Sequence, residues 1–281
     1  MLQKEWRILI VDDEPDVLAV TRLVLKDVQV DGVPLKLQTA TSKAEAIQLL
    51  SDAPGPPGLP SFAVALIDVV MESPTAGLEV CDFVRNNLKN KTTQLFIRTG
   101  QAGLAPERAV VDRYDVNGYF TKVESTDDKL YSLVKTGIRQ NEYLVNSQVF
   151  FGILTRVAGR PRPTIERMLG AYGVFLHQNR VSVGIVADGS VLSAIGYDRA
   201  EVLPECQRLE VLESTPLSSE GDIAVYQDRT ALFKSAEGDY SIYRNVSPPS
   251  PALQLLHISY LKLLASLAKA GTPAPQSRTV V

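Results

Sequence analysis

The sequence predicts an α/β protein in two parts: a doubly wound, five-stranded parallel sheet and, joined to it by a long helix, a second α+β domain. Three observations point there. Short β-branched or aliphatic runs alternate with helical patterns up to about residue 122. The stretch Gly159-Arg160-Pro161-Arg162-Pro163 then breaks the chain. Beyond it, strand-like runs follow one another between one helix and a last one, the order of an α+β module. A length of 281 residues suits two domains at about 150 residues each.

In order, Trp6–Val11, Lys36–Thr39, Phe62–Asp68, Gln94–Arg98 and Asn117–Thr121 read as strands. Between them Glu14–Asp27, Lys43–Ser51, Gly77–Leu88 and Pro106–Tyr114 read as helices, with Pro15 and Pro106 where a first turn tolerates proline. Strands alternating with helices imply a parallel sheet covered on both faces, with right-handed crossovers. The stretch Pro54-Gly55-Pro56-Pro57-Gly58-Leu59-Pro60 links a helix to a strand and reads as a surface insertion at the amino edge of the sheet. From Asp127 a helical pattern with Leu130, Leu133, Val134, Ile138, Leu144 and Val145 on one stripe runs to about Gln148. It reads as a connector that a second copy of the chain can pair with, and Gly137 weakens it by about 1 kcal/mol relative to alanine.

Past the break, Thr164 caps a helix Ile165–His177, strands follow at Val181–Val186, Val191–Ala194, Ile223–Tyr226, Ala231–Lys234 and Tyr240–Tyr243, and a helix Pro251–Ala268 closes the domain. The expected boundaries are 1–126, 127–150 for the connecting helix, 151–270, and a disordered tail over 271–281.

Composition excludes several functions. Hydrophobic residues make up 45% and charged residues 22%, an ordinary globular mixture. Before residue 149 there are 16 basic and 20 acidic side chains, and after it 13 and 12, so neither half has the basic excess that nucleic-acid backbones require. Only His177 and His257 occur, too few for a multi-imidazole metal centre. Cys81 and Cys206 lie far apart in no redox or metal motif, which suits a reducing compartment. No signal-like h-region opens the chain and no run approaches 18 apolar residues, so the expectation is a cytoplasmic protein without membrane insertion.

Chemistry collects at the carboxyl edge of such a sheet. Asp12, Asp13 and Glu14 follow the first strand, Asp68 ends the third, Thr99 the fourth and Lys122 the fifth, although Asp13, Asp68, Thr99 and Lys122 are 55, 31 and 23 positions apart. Clustered carboxylates raise one another's pKa values unless a cation joins them. Mg²⁺ on Asp13, Asp68 and a backbone carbonyl resolves that conflict, with Asp12 acting through a water. The metal and the Lys122 ammonium then favour a phosphoryl group, which the Asp68 carboxylate attacks in line while Thr99 offers a hydroxyl.

These residues, over about 5–140, resemble the receiver domains of two-component response regulators. The resemblance implies Asp68 as phosphoacceptor, Asp12 and Asp13 as metal-site acids, the carbonyl of Val70 as a metal ligand, Thr99 and Tyr119 as a switch pair, and Lys122 as the phosphoryl contact. It implies a sensor histidine kinase or phosphotransfer protein as donor and a downstream signalling protein as partner. The runs Ile67-Asp68-Val69-Val70-Met71-Glu72 and Arg98-Thr99-Gly100-Gln101-Ala102-Gly103-Leu104-Ala105-Pro106-Glu107-Arg108 look like a subgroup in which a GAF-like domain follows the receiver, often ahead of an HD-GYP cyclic-di-GMP phosphodiesterase. Two departures stand out: Val123 replaces the proline that commonly follows the lysine, and the Glu72–Ala76 loop is longer than usual. No His-Asp pair, GGDEF or EAL sequence occurs, so the expectation is a chain acting without such an enzyme in cis.

For residues 151–270 the expectation is a GAF-like protein-interaction or dimerisation domain. Asp188-Gly189-Ser190 reads as a hairpin turn and Gly196-Tyr197-Asp198 as a weak PAS-type pattern. Tyr172, Phe175, Tyr226, Phe233, Tyr240 and Tyr243 read as core before pocket, and His257 as structural. Two rival readings remain: a phosphorylation-independent docking and ligand-sensing module, or the regulatory portion of a cyclic-di-GMP phosphodiesterase.

Overall fold

Alternate residues of the central strands point to opposite faces and both sets are apolar, so the sheet has to be covered on each side. The structure, a computed structural model, describes residues 5–52, 62–100, 107–157, 181–187, 189–212, 215–216, 223–227, 230–234, 238, 240–245 and 259. Its first part runs β1 (Trp6–Val11), α1 (Pro15–Leu25), β2 (Gln29–Val30), β3 (Val33–Ala40), α2 (Lys43–Asp52), β4 (Val64–Ile67), α3 (Ala76–Asp82), β5 (Gln94–Thr99), α4 (Glu107–Tyr114), β6 (Gly118–Thr121) and α5 (Asp127–Val157). Trp6, Ile8, Ile10, Val64, Leu66 and Phe96 face one side, where Leu18 and Leu25 of α1 and Leu130, Val134 and Ile138 of α5 cover them. Leu9, Val11, Ala65, Ile67, Leu95 and Ile97 face the other, under Ala46 and Leu50 of α2, Leu78, Val80 and Cys81 of α3, and Val110 of α4. Each fully buried aliphatic or aromatic side chain contributes about 1.5–3 kcal/mol to this core.

The sheet has six strands in the order β2-β3-β1-β4-β5-β6, not the five expected. Five run parallel, and the sixth, β2, pairs antiparallel with β3. The loop between them is Asp31 and Gly32, both at positive φ (52° and 75°), the geometry a two-residue hairpin requires. The chain order reverses at β1, which has β3 on one side and β4 on the other. That is the topological switch point, where open α/β sheets leave a crevice beyond the strand ends.

Several boundaries differ from expectation. Beyond Asp82 the helix expected to Leu88 widens into a π turn over Phe83–Asn87, where Arg85 is buried. The Arg85 guanidinium donates to the carbonyls of Asn90, Thr93 and Asp115, holding together the turns that precede β5 and β6. The connecting helix does not end at residue 150: α5 continues to Val157, 31 residues in all. The chain divides into two compact units between Val145 and Asn146, inside this helix. Gly137 has a packing reason, since a Cβ there would stand 2.9 Å from both Phe96 and Val64.

The second unit holds β7 (Val181–Ala187), β8 (Ser190–Ile195), α6 (Val202–Leu212), β9 (Thr215–Pro216), β10 (Ile223–Gln227), β11 (Thr230–Lys234) and β12 (Tyr240–Asn245). Its strands form one antiparallel sheet, β8-β7-β12-β11-β10-β9. Where a hairpin is expected, Ala187 of β7 pairs with Ser190 of β8 and Gly189 stands at φ 70°. Helix α6 was not expected; Val202, Cys206 and Leu209, on one helical face, pack on Val186, Leu232 and Ile242. The helices expected at 165–177 and, apart from Ser259, at 251–268, the 54–60 insertion, the 271–281 tail, Tyr172, Phe175, His177 and His257 lie outside the described residues. Among the described residues no helix is long and apolar enough to cross a membrane.

Candidate functional site

The peptide ladder carries Asp12 and Asp68 to the same edge. Val11 pairs with Ile67, Ile67 with Ile97 and Thr99 with Thr121, so the parallel strands end level. One residue past β1, Asp12 donates its N–H to Ala40 O at 3.0 Å; one residue past β4, Asp68 donates to Val11 O at 2.9 Å. Both carboxylates thus leave the sheet from pinned backbone. Asp12, Asp13 and Asp68 each bring a carboxylate oxygen within 4.8 Å of the others, with Asp12 and Asp68 buried and Asp13 exposed.

Lys122, the first residue after β6, reaches into this cluster. Its Nζ lies 2.7 Å from Asp68 Oδ2, 3.1 Å from Asp12 Oδ2 and 2.6 Å from Glu14 Oε1. Burial works to lower the Lys122 pKa, but the bonds to Asp68, Glu14 and Asp12 outweigh it, and the ammonium is held above the ordinary lysine range. Burial pushes the Asp68 carboxyl up, and the Lys122 ammonium only partly offsets this. The N–H of Val70 faces Asp68 Oδ1 at 3.4 Å, so the main chain at Val70 runs beside the carboxylate.

Thr99, at the end of β5, is buried, and half-buried Tyr119 on β6 packs against the α3 and α4 side of the core. With Val123 in place of a proline, Lys122–Glu124 forms a single 3₁₀ turn closed by a capping box. Thr121 Oγ1 accepts from the Glu124 N–H, and Glu124 Oε2 accepts from the Thr121 N–H at 2.8 Å. Those bonds hold Glu124 ionised, below the usual carboxylate range, and fix the main chain from which Lys122 projects. The longer loop after Asp68 is tied down by Glu72, whose Oε1 accepts from the Lys43 N–H at 3.0 Å at the start of α2.

Three residues here carry weight that sequence reasoning did not assign. Glu14 is the N-cap of α1 but makes no capping bond; its carboxylate turns to Lys122 instead. Arg98, buried on β5, donates to Asp12 Oδ2 at 3.3 Å and to Thr21 Oγ1 at 2.7 Å. Gly77 lets the start of α3 lie against the Asp68 main chain. The one signal in advance is a charged residue inside the otherwise apolar run Leu95-Phe96-Ile97-Arg98.

The donor set at this edge is all oxygen, three carboxylates with two buried, and fits a hard divalent cation of the Mg²⁺ type. Among the other described residues the chemistry is muted. Cys81 and Cys206 are buried thiols pushed up to about 12, mainly by burial. Phe233 and Tyr243 are buried in the second unit, and Tyr240 donates to Glu210 Oε2 at 2.8 Å, with Lys234 on the same carboxylate.

No family model matches the chain. It is 36% identical over 137 residues to the 3'3'-cGAMP-specific phosphodiesterase 2 of Vibrio cholerae serotype O1, a match that takes in 49% of this chain and 25% of that protein. The chain therefore spans about a quarter of that relative's length. Among solved structures it is similar to a response regulator receiver domain protein from Clostridium thermocellum (20% identity, 50% of this chain, 98% of that one, TM-score 0.40). It is also similar to the signal receiver domain of an HD domain-containing protein from Pseudomonas fluorescens Pf-5 (16%, 49%, 98%, TM-score 0.41).

Proposed function

We propose that the chain is a response regulator that accepts a phosphoryl group on Asp68 and passes the resulting shift along α5 to its second unit. The observation that carries this reading is the Lys122 ammonium 2.7 Å from a buried Asp68 carboxylate, with Asp12 and Asp13 alongside, at the switch point of a doubly wound sheet. An ionised Asp68 oxygen attacks phosphorus in line: an O–P bond forms, the N–P bond of a partner phosphohistidine breaks, and the departing imidazole takes up a proton. Asp13, Asp68 and the Val70 carbonyl would hold Mg²⁺, which when bound neutralises charge on the phosphoryl oxygens. Lys122 moves from the carboxylates to the new phosphoryl group, and the Thr99 hydroxyl donates to one of its oxygens. Tyr119 follows Thr99, and the α4–β6–α5 face changes shape. The phosphoryl group shifts a two-state equilibrium only because the two states hold it with different affinity.

In the second unit an antiparallel sheet with α6 on one face is in keeping with a GAF-like interaction or dimerisation domain. Incubation with a small phosphodonor and Mg²⁺, followed by intact mass, tests the central step. Wild type gains one phosphoryl group and Asp68→Ala gains none; equal labelling of both overturns the assignment.

The 36% identity with a cyclic-dinucleotide phosphodiesterase favours a second reading, in which this chain is the regulatory portion of such an enzyme. Cyclic-dinucleotide hydrolysis by the product of the whole reading frame, altered by Asp68→Ala, is the result that reading requires.

A further inference from the structure

Two cations from two different strands bracket Asp12. Lys122 approaches Oδ2 at 3.1 Å from the solvent side, and Arg98 approaches the same oxygen at 3.3 Å from within the fold. They differ in freedom. Lys122 is shared among Asp12, Glu14 and Asp68 and retains 16% side-chain exposure. Arg98 is buried, and its Nη1 donates to Thr21 Oγ1 at 2.7 Å. The Thr21 hydroxyl spends its own proton on Val17 O, also at 2.7 Å, so its lone pairs face the guanidinium. Arg98 is therefore anchored to α1, whereas Lys122 can swing. Asp12 has no exposed surface, and a buried carboxylate stripped of cations is strongly unfavourable. Lys122 can leave it for another anion only if a second cation stays behind.

We propose that Arg98 is that resident counter-ion: a positioning residue that keeps Asp12 turned to the interior, holds it out of direct metal coordination, and releases Lys122 to the phosphoryl group on Asp68. The inference rests on the metal and phosphoryl reading of the cluster above. It leaves Asp13 and Asp68 as the carboxylates that meet the ion, and makes the fixed positive charge beneath Asp12 a weakening influence on metal affinity.

Mn²⁺ titration of the full chain, read from the paramagnetic resonance of the free ion, tests it. Removing the charge with Arg98→Gln is expected to tighten Mn²⁺ binding about tenfold, because a nearby fixed cation no longer repels the dication. Arg98→Lys, which keeps the charge, restores wild-type affinity. Asp12→Asn alone weakens binding, and Asp12→Asn with Arg98→Gln returns it to near the wild-type value. Should Arg98→Gln fail to fold, Thr21→Val frees the guanidinium without removing it, and binding is expected to change about twofold in the same direction. A folded Arg98→Gln, or a Thr21→Val in its place, with wild-type Mn²⁺ affinity overturns the proposal. A double variant as weak as Asp12→Asn does the same, since Asp12 would then be a ligand in its own right. Wild type that binds Mn²⁺ and takes phosphate on Asp68 while Arg98 has no effect sinks this inference alone; wild type that binds no Mn²⁺ sinks the parent reading with it.

Discussion

Replacing Gly77 by alanine places a methyl group where the main chain of Asp68 already runs. A Cβ at Gly77 would stand 2.7 Å from the Asp68 carbonyl carbon and 3.0 Å from Val69 Cα, and nearer still to the Asp68 carbonyl oxygen. All three are main-chain atoms, so no change of rotamer relieves the clash. Ordinary carbon contacts lie at about 3.5–4.0 Å, so the start of α3 and the Asp68–Val69 peptide must part by about 1 Å. Neither side yields easily: Gly77 N–H donates to Val69 O at 3.0 Å, and Asp68 N–H donates to Val11 O at 2.9 Å. Overpacking of this kind costs about 1–3 kcal/mol. In a unit of this size that lowers the melting temperature by about 5–10 °C. Displacing an attacking oxygen by about 1 Å costs on the order of a hundredfold in rate. Thermal melting and the rate of phosphoryl uptake by intact mass read both effects in one preparation. An alanine variant that melts within about 1 °C of wild type and is phosphorylated at the wild-type rate would show that α3 does not lie against Asp68.

Asp68→Asn is expected to raise the melting temperature at neutral pH. An acid whose folded pKa is raised binds its proton more tightly in the folded state, so ionising it costs stability as pH rises through that value. The gain should vanish below the ordinary aspartate range, where both side chains are neutral; a gain that persists there, or none at pH 7, contradicts the burial argument. Glu14→Gln removes a carboxylate that competes for Lys122 and should raise phosphoryl uptake about two- to fivefold, more at low salt than at high. Identical rates at both ionic strengths would make that ion pair incidental. Gly137→Ala, which helix propensity alone would favour by about 1 kcal/mol, is expected to lose about 1–3 kcal/mol in urea melts, because its Cβ meets Phe96 and Val64 at 2.9 Å. A stabilised variant would mean that α5 stands further off the sheet. Arg85→Met is expected to cost about 2–4 kcal/mol by stranding the carbonyls of Asn90, Thr93 and Asp115, while a folded sample takes up phosphate normally.

Much of the site was legible along the chain. Ile10-Val11 runs straight into Asp12-Asp13, Leu66-Ile67 into Asp68, and Phe120-Thr121 into Lys122, and the rules for parallel sheets gather such strand ends at one edge. Even the unforeseen hairpin has a local cause, Asp31-Gly32 between Val30 and Val33, and α6 was obscured by Pro204, which sits harmlessly in its first turn. These are matters of a few neighbouring residues, whose backbone preferences and side-chain period show in any short window. Arg98 is different. It lies 86 positions from the carboxylate it neutralises, and its place after Leu95-Phe96-Ile97 marks it as unusual without saying which group it meets. The same holds for Glu14 on Lys122, 108 positions apart, and for the two glycines at which α3 and α5 approach the sheet. Ionic and steric energies depend on separations of a few ångströms between segments distant in the chain, so they take values only once the sheet has brought those segments together.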